Sequence, residues 1–297
     1  MKTTTLITPA LKKLAQKFTT SLFGMMFALL PLIANSAEPV AMITDLKGSV
    51  YLAGKGKAAP LAVLSYLPPG EEIILDAGAQ VVVTYFAQST EFSFKGPGRI
   101  AIHVQEAKAL KGSAETRRLD NEKSGAALKF VQSGKLTFAT VEMRALTFVK
   151  PTLLSPVNTK IASLTPVFKW KGLDDIEKYL MTLTDEQGQI VQQVEVATNS
   201  WTVPDNLLRR GATYRWKVEA FLKTGDKLNA QGGFSVADLA TVSRINAKQP
   251  VADARFSDKV TYAIFLEEEG FRESAKSVWQ ELAAQRPDDP NLKRRAR

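Results

Sequence analysis

Between residues 40 and 105 apolar and polar positions alternate in short runs. Val81, Val83 and Tyr85 fall on one face, with Val82 and Phe86 on the other. Phe92 pairs with Phe94, and Ile100, Ile102 and Val104 keep the same step. The runs are separated by Gly54-Lys55-Gly56, Pro68-Pro69-Gly70, Asp76-Ala77-Gly78, Gln88-Ser89-Thr90 and Gly96-Pro97-Gly98. A period of two between such turns predicts antiparallel β-structure. The pattern fails over 106–126, where charged and small residues predict a mobile excursion with room for one helical turn. Strand patterning returns from Leu128 to Val149, divided at Ser133-Gly134.

Pro151 and Pro156 mark a boundary. Residues 151–237 predict a β-sandwich, with strands at Pro166–Trp170, Lys178–Thr184, Ile190–Val196, Ser200–Val203, Thr213–Phe221 and Ala230–Val236. From Asp238 the period becomes helical. Leu239, Val242 and Ile245 share a face. Phe256, Val260, Ala263 and Leu266 form a second stripe, and Phe271, Ala275, Val278, Trp279 and Leu282 a third. Gly270 separates the last two helices, and Pro287 stops the final one before a basic tail. The expected fold is mainly β, with a first β-domain over 38–150, the sandwich, and a helical part over 238–297.

The N-terminus changes the picture of where the chain works. Lys2, Lys12, Lys13 and Lys17 precede an apolar run, Leu22 to Ile33, and then Ala34-Asn35-Ser36-Ala37. A basic lead, a short apolar core and small residues predict a secretory signal peptide over 1–37, cleaved near Ala37, and a periplasmic protein. The alternative is an uncleaved helix anchoring the chain in the inner membrane. The four lysines account for +4 of the formal +9, leaving +5 on the 260 residues that follow. A mildly basic exported chain points to peptidoglycan or other anionic envelope polymers, or lipid headgroups, rather than nucleic acid. The absence of cysteine excludes disulfides, thiolate metal sites and cysteine nucleophiles.

Three resemblances follow from short motifs. Leu67-Pro68-Pro69-Gly70-Glu71-Glu72-Ile73, Gly78-Ala79-Gln80-Val81 and Phe94-Lys95-Gly96-Pro97 resemble the FecR-like β-domain. In FecR regulators a cytoplasmic region and a membrane span come first. Here the preceding residues read as a signal peptide, so the resemblance implies a periplasmic sensing or docking module without a transmembrane relay. Leu154-Ser155-Pro156, Phe168-Lys169-Trp170, Tyr179 and Tyr214-Arg215-Trp216-Lys217-Val218 resemble a fibronectin type III-like sandwich, which implies a spacer or adhesive module. Residues 257–287 resemble one tetratricopeptide-type helix pair, through Ala263, Gly270, Ala275, Trp279, Leu282 and Pro287. One such pair cannot bury its own face, so it must pack on neighbours or on a partner.

Catalytic chemistry finds little footing. His103 is the sole histidine and is expected to be exposed on a strand. Gly54-Lys55-Gly56-Lys57 lies between strands and reads as a hairpin turn, because a phosphate cradle must open a helix. The acids Asp174 and Asp175, Glu267 to Glu269, and Asp288 and Asp289 fall where solvation is expected, against a glycosidase pair. Trp201, Phe221 and Phe234 could form a sugar platform but have core spacing. The expectation is a non-enzymatic envelope adaptor without cofactor or metal, its three modules arranged in series. Its candidate partner-binding residues are Arg117 and Arg118 in the basic 106–126 segment, and Phe271 and Trp279 on the helix pair. The expected partner is an envelope or membrane signalling protein. The alternative is a periplasmic ligand-binding sensor subunit reporting to such a protein.

Overall fold

The computed structural model describes residues 38–54, 59–132 and 150–297. The signal segment and the strand pattern of 133–149 lie outside these residues. Among the described residues the chain is mainly β, with helices concentrated near the C-terminus.

The first sandwich pairs two five-stranded sheets. One has the order β10-β7-β6-β1-β4, from Ala114–Arg118 (β10), Thr90–Lys95 (β7), Gln80–Tyr85 (β6), Ala41–Lys47 (β1) and Tyr66–Leu67 (β4). The other has the order β3-β2-β5-β8-β9, from Ala59–Pro60 (β3), Val50–Leu52 (β2), Glu72–Leu75 (β5), Gly98–Ile102 (β8) and Ala107–Lys111 (β9). Ile43, Val81, Val83 and Tyr85 meet Ile73, Leu75, Ile100 and Ile102 between them. Gly96 is required at one corner, because a Cβ there would lie 2.0 Å from the carbonyl oxygen of Asp76.

The expected excursion at 106–126 is instead β9, β10 and the start of a helix, Asn121–Gln132 (α1). The alternation failed as a signal because both strands lie at sheet edges. An edge strand facing water needs little apolar content, and charges there discourage pairing with other chains. β10 buries no residue fully. The strand expected to begin at Leu128 is also replaced, through Gln132, by α1. Val104 lies beyond the end of β8 and is exposed.

The second sandwich packs a three-stranded sheet, β11-β13-β16 (Thr152–Ser155, Val167–Lys171, Ser200–Thr202), against a five-stranded one. The latter runs β12-β18-β17-β14-β15, from Thr159–Ile161 (β12), Lys227–Val236 (β18), Thr213–Leu222 (β17), Ile176–Thr184 (β14) and Ile190–Val196 (β15). The short strands β11 and β12 add to the expected set. Phe168, Trp170, Trp216 and Phe234 fill the centre, with Phe168 edge-on to Trp216 at 4.7 Å. The Trp216 indole donates to the carbonyl of Pro156 at 2.8 Å. The Tyr214 hydroxyl accepts the Arg209 amide at 2.9 Å. A tyrosine near a strand start bonding back to upstream backbone is a device of immunoglobulin-type sandwiches.

Four helices complete the chain among the described residues after the second sandwich: Leu239–Lys248 (α2), Phe256–Glu268 (α3), Arg272–Gln285 (α4) and Pro290–Arg295 (α5). α3 is buried on nearly every side from Val260 to Leu266, more than the expected stripe. α2 is the reverse: Leu239 is exposed and only Ile245 is fully buried. The modules are not in series. Met42, Leu64, Phe86 and Ala127 share one core with Val260, Phe265, Phe271, Trp279 and Leu292. The first sandwich thus covers the face that a lone helix pair would leave bare.

Polar contacts fix this return. Asp289 caps α5 and accepts the Val63 amide at 2.8 Å, while the Asn291 side-chain amide donates to the Val63 carbonyl at 2.8 Å. Arg286 binds Asp45 at 2.9 Å and stacks over Phe256. The α3–α4 turn meets the second sandwich. Gly270, at φ +89, presents its carbonyl to the Lys160 amide at 2.8 Å. Glu273 accepts from the Val157 amide at 3.0 Å and the Ser155 hydroxyl at 2.7 Å.

Candidate functional site

The most heavily charged seam joins β7 and β10 to the N-terminal end of α3. Antiparallel pairing sets Arg117 of β10 directly opposite Glu91 of β7. Glu91 is only 1% exposed. A carboxylate there must be compensated to remain charged. The Arg117 guanidinium donates to both its oxygens, at 3.0 and 3.1 Å, and then reaches Asp258 at 2.8 Å. Asp258 stands in the first turn of α3, where a negative charge suits the helix dipole. Arg255 stands 3.8 Å from Glu91 on the other side. Burial opposes the charged guanidinium of Arg117, but its bonds to Asp258 and Glu91 prevail and raise its pKa above the ordinary value.

A second network lies beside the first. Asp120 accepts the backbone amides of Glu122 and Lys123 at 3.1 and 3.0 Å, holding the first turn of α1. Its carboxylate also takes the Lys248 ammonium at 2.6 Å. Burial alone would raise the Asp120 pKa, but Lys248 and the Lys123 amide overcome it and the pKa is lowered. Glu122 takes Lys248 and Arg244, both at 3.3 Å, and Arg244 continues to Glu269. α1, α2 and the end of α3 are cross-linked by these charges.

Between the two networks lies a cleft of about 280 Å³. Arg117, Arg118, Lys123, Asp120 and Asp258 supply its charges. Leu119, Pro250, Val251 and Ala254 supply its apolar wall. The structure therefore brings together two of the four sequence-derived site residues, Arg117 and Arg118. Arg117 is spent on Glu91 and Asp258, while Arg118 is exposed. Phe271 and Trp279, expected to offer a partner groove, are each 1% exposed and belong to the shared core. Their burial is the physical answer to the helix pair's bare face. The Trp279 indole donates to Glu267 at 2.6 Å. Lys123 was read only as one cation of the basic 106–126 segment, and Val251 was missed. The first lies in a segment read as a loop, and the second becomes a wall only when α2 and α3 fold against β10.

The other candidates lie outside the cleft. The His103 ring is exposed and its carbonyl accepts the Tyr85 hydroxyl at 3.0 Å. Phe234 is core, Trp201 packs beside Phe168, and the Phe221 ring lies under the ammoniums of Lys178 and Lys227. Asp174 and Asp175 are exposed, and Asp289 is a cap. Among the described residues no cluster of histidine, aspartate or glutamate could hold a metal ion. Nor is any helix among them long and apolar enough to cross a membrane.

No protein-family model matches the sequence, and no curated protein matches it. Among solved structures the chain is similar to CopC from Methylosinus trichosporium OB3b, at 15% identity and a TM-score of 0.25, over 30% of this chain and 95% of that one. It is also similar to the extracellular domain of a B. thetaiotaomicron protein described as a one component system, at 10% identity and a TM-score of 0.23, covering 57% of this chain but only 30% of that one. A β-1,2-glucanase from Parabacteroides distasonis gives 10% identity and a TM-score of 0.21, over 84% of this chain and 48% of the enzyme. Similarities this slight carry no argument for what the chain does.

Proposed function

We propose that this protein is a non-enzymatic, exported envelope adaptor that docks an envelope or membrane protein through its FecR-like first sandwich and the helices seated on it. The observation that carries this reading is the cleft at the β10–α1 corner. It opens to the surface on a frame held by a shared core, and its cations and apolar wall converge from three elements. Three of the acids weighed for catalysis support structure instead. Asp289 caps a helix, Glu269 pairs with Arg244, and Glu267 holds Trp279 and Arg295. The second sandwich acts as a spacer, fixed to the frame at the α3–α4 turn.

The test is cross-linked capture of the tagged protein from the envelope, read by mass spectrometry together with its N-terminal residue. Capture of one envelope or membrane protein, reduced at least about fivefold by Arg118→Glu, is expected if a rim charge supports docking. The same background of abundant envelope proteins with both forms would overturn the reading. A first residue before Ala37 would overturn cleavage and leave the anchored form.

A further inference from the structure

The charges around the cleft do not balance. Of its two carboxylates, Asp258 is matched by Arg117 and Asp120 by Lys248. Arg117 is itself matched, since it also serves the buried Glu91. Arg118 and Lys123 remain. Among the described residues neither side chain has an ion-pair or hydrogen-bonded partner. Burial pushes the Lys123 ammonium's pKa down, and Lys248 and Arg117 add to that against the pull of Asp120 and Asp258. Its charge is under-compensated where it stands, so an arriving anion would find an unspent cation rather than compete for a used one.

Three further features narrow the anion. The lining holds three cations and two carboxylates, and both carboxylates are already paired. Asp120 and Asp258 in the same lining repel a phosphate monoester, which carries about 1.5 to 2 negative charges at neutral pH, more than a singly charged carboxylate. The volume of about 280 Å³ lies just below the usual range for small-ligand pockets, so it suits the end of a chain rather than a large molecule. Beside the cations stand Leu119, Pro250, Val251 and Ala254, and Val251 is 68% exposed at the mouth. The amides of Val251, Ala252 and Asp253 donate to no acceptor among the described residues. Of the three residues Val251 lines the cleft, and its amide is available to the backbone of an extended ligand.

Resting on the adaptor reading and deepening it, we propose that this cleft binds the C-terminal carboxylate of a short peptide ending in small apolar residues, with Arg118 and Lys123 taking the carboxylate and the Leu119–Val251 wall taking the last side chains. The class of partner that fits is a peptide or protein with a free, extended C-terminal tail.

The experiment is a calorimetric titration of the purified protein, in the form the cell produces, with acetyl-Ala-Ala as the free acid. Its C-terminal amide, propionate and inorganic phosphate serve as the other arms. We expect saturable binding of the acid, at least roughly tenfold tighter than the amide, as one charge-assisted hydrogen bond implies. Lys123→Met and, separately, Arg118→Met should each weaken it by a similar factor with an unchanged melting temperature. Two variants are used so that a folding defect in one leaves the other informative. Equal binding of acid and amide, no binding of the acid, or indifference to both substitutions overturns the proposal. Propionate binding as tightly as the peptide, or phosphate binding more tightly, overturns the choice of ligand. If the acid fails but cross-linked capture still depends on Arg118, the adaptor reading stands and this inference alone falls.

Discussion

The two sandwiches solve the same packing problem in different ways. In the second, β13 and β17 alternate. β13 buries Phe168 and Trp170 and leaves Val167, Lys169 and Lys171 in water, and β17 repeats the pattern. Its sheets are one-sided and its core is closed within residues 153–236. In the first sandwich, β1 buries four consecutive residues, Ala41 to Thr44. One face meets the opposing sheet, and the other meets α1 and α3, with Thr44 and Thr84 satisfying each other there at 2.7 Å. A sheet covered on both sides loses its alternation. The difference teaches that the second sandwich is self-sufficient in its apolar burial, whereas the first depends on helices from the far end of the chain.

That contrast can be broken most directly at Trp279. Trp279→Ala opens a cavity in the shared core and should cost about 3–5 kcal/mol. Native-state amide exchange should show the loss in β1, α3 and α4, with β14 and β17 still protected. A uniform loss across both sandwiches would mean that they unfold as one unit and the contrast is only geometric.

Arg117→Met comes next. It leaves Glu91 buried without its main partner, which should cost about 3 kcal/mol, at the lower end for a broken buried pair because Arg255 is near and Arg117 is partly exposed. The urea midpoint should fall, and Glu91→Gln in the same chain should restore part of it. If the single variant is neutral, the seam is held by its apolar contacts alone. The smallest effect belongs to the second sandwich. Tyr214→Phe removes the bond to the Arg209 amide and should cost about 1 kcal/mol. Exchange should change in β17 and β18 and not in β1. A change that reaches the helices would show coupling through the Glu273 contact.

How much of this was legible follows from the same contrast. Ile190–Val196 was read to the residue because the Asp185–Gly188 hairpin turn precedes it and Val194 and Val196 keep the two-residue step. β10 was not read, because an edge strand with Arg117 and Arg118 carries no apolar period. The two arginines were still singled out by charge density alone, while their roles could not be. Only the register of β10 on β7 makes Arg117 a partner of Glu91 and leaves Arg118 without one among the described residues. Phe271 and Trp279 show the opposite limit. The helical period identifies an apolar stripe, but periodicity cannot tell whether a partner or the chain's own sheet covers it. Lys123 and Val251 are separated by 128 positions and become neighbours only through tertiary packing, so no local pattern could have joined them.

The contact between Val63 and Asp289 has a consequence for the order of events in biogenesis. The two residues are 226 positions apart, and the strands near the start wait for a cap delivered near the end. A chain emerges from the ribosome N-terminal end first. While the last forty or so residues are still to be made, the outer face of β1 and β6 has nothing to cover it, and such non-local closure is intrinsically slow. The helix-facing side of the first sandwich is therefore covered last, while the second can close as soon as β18 is made.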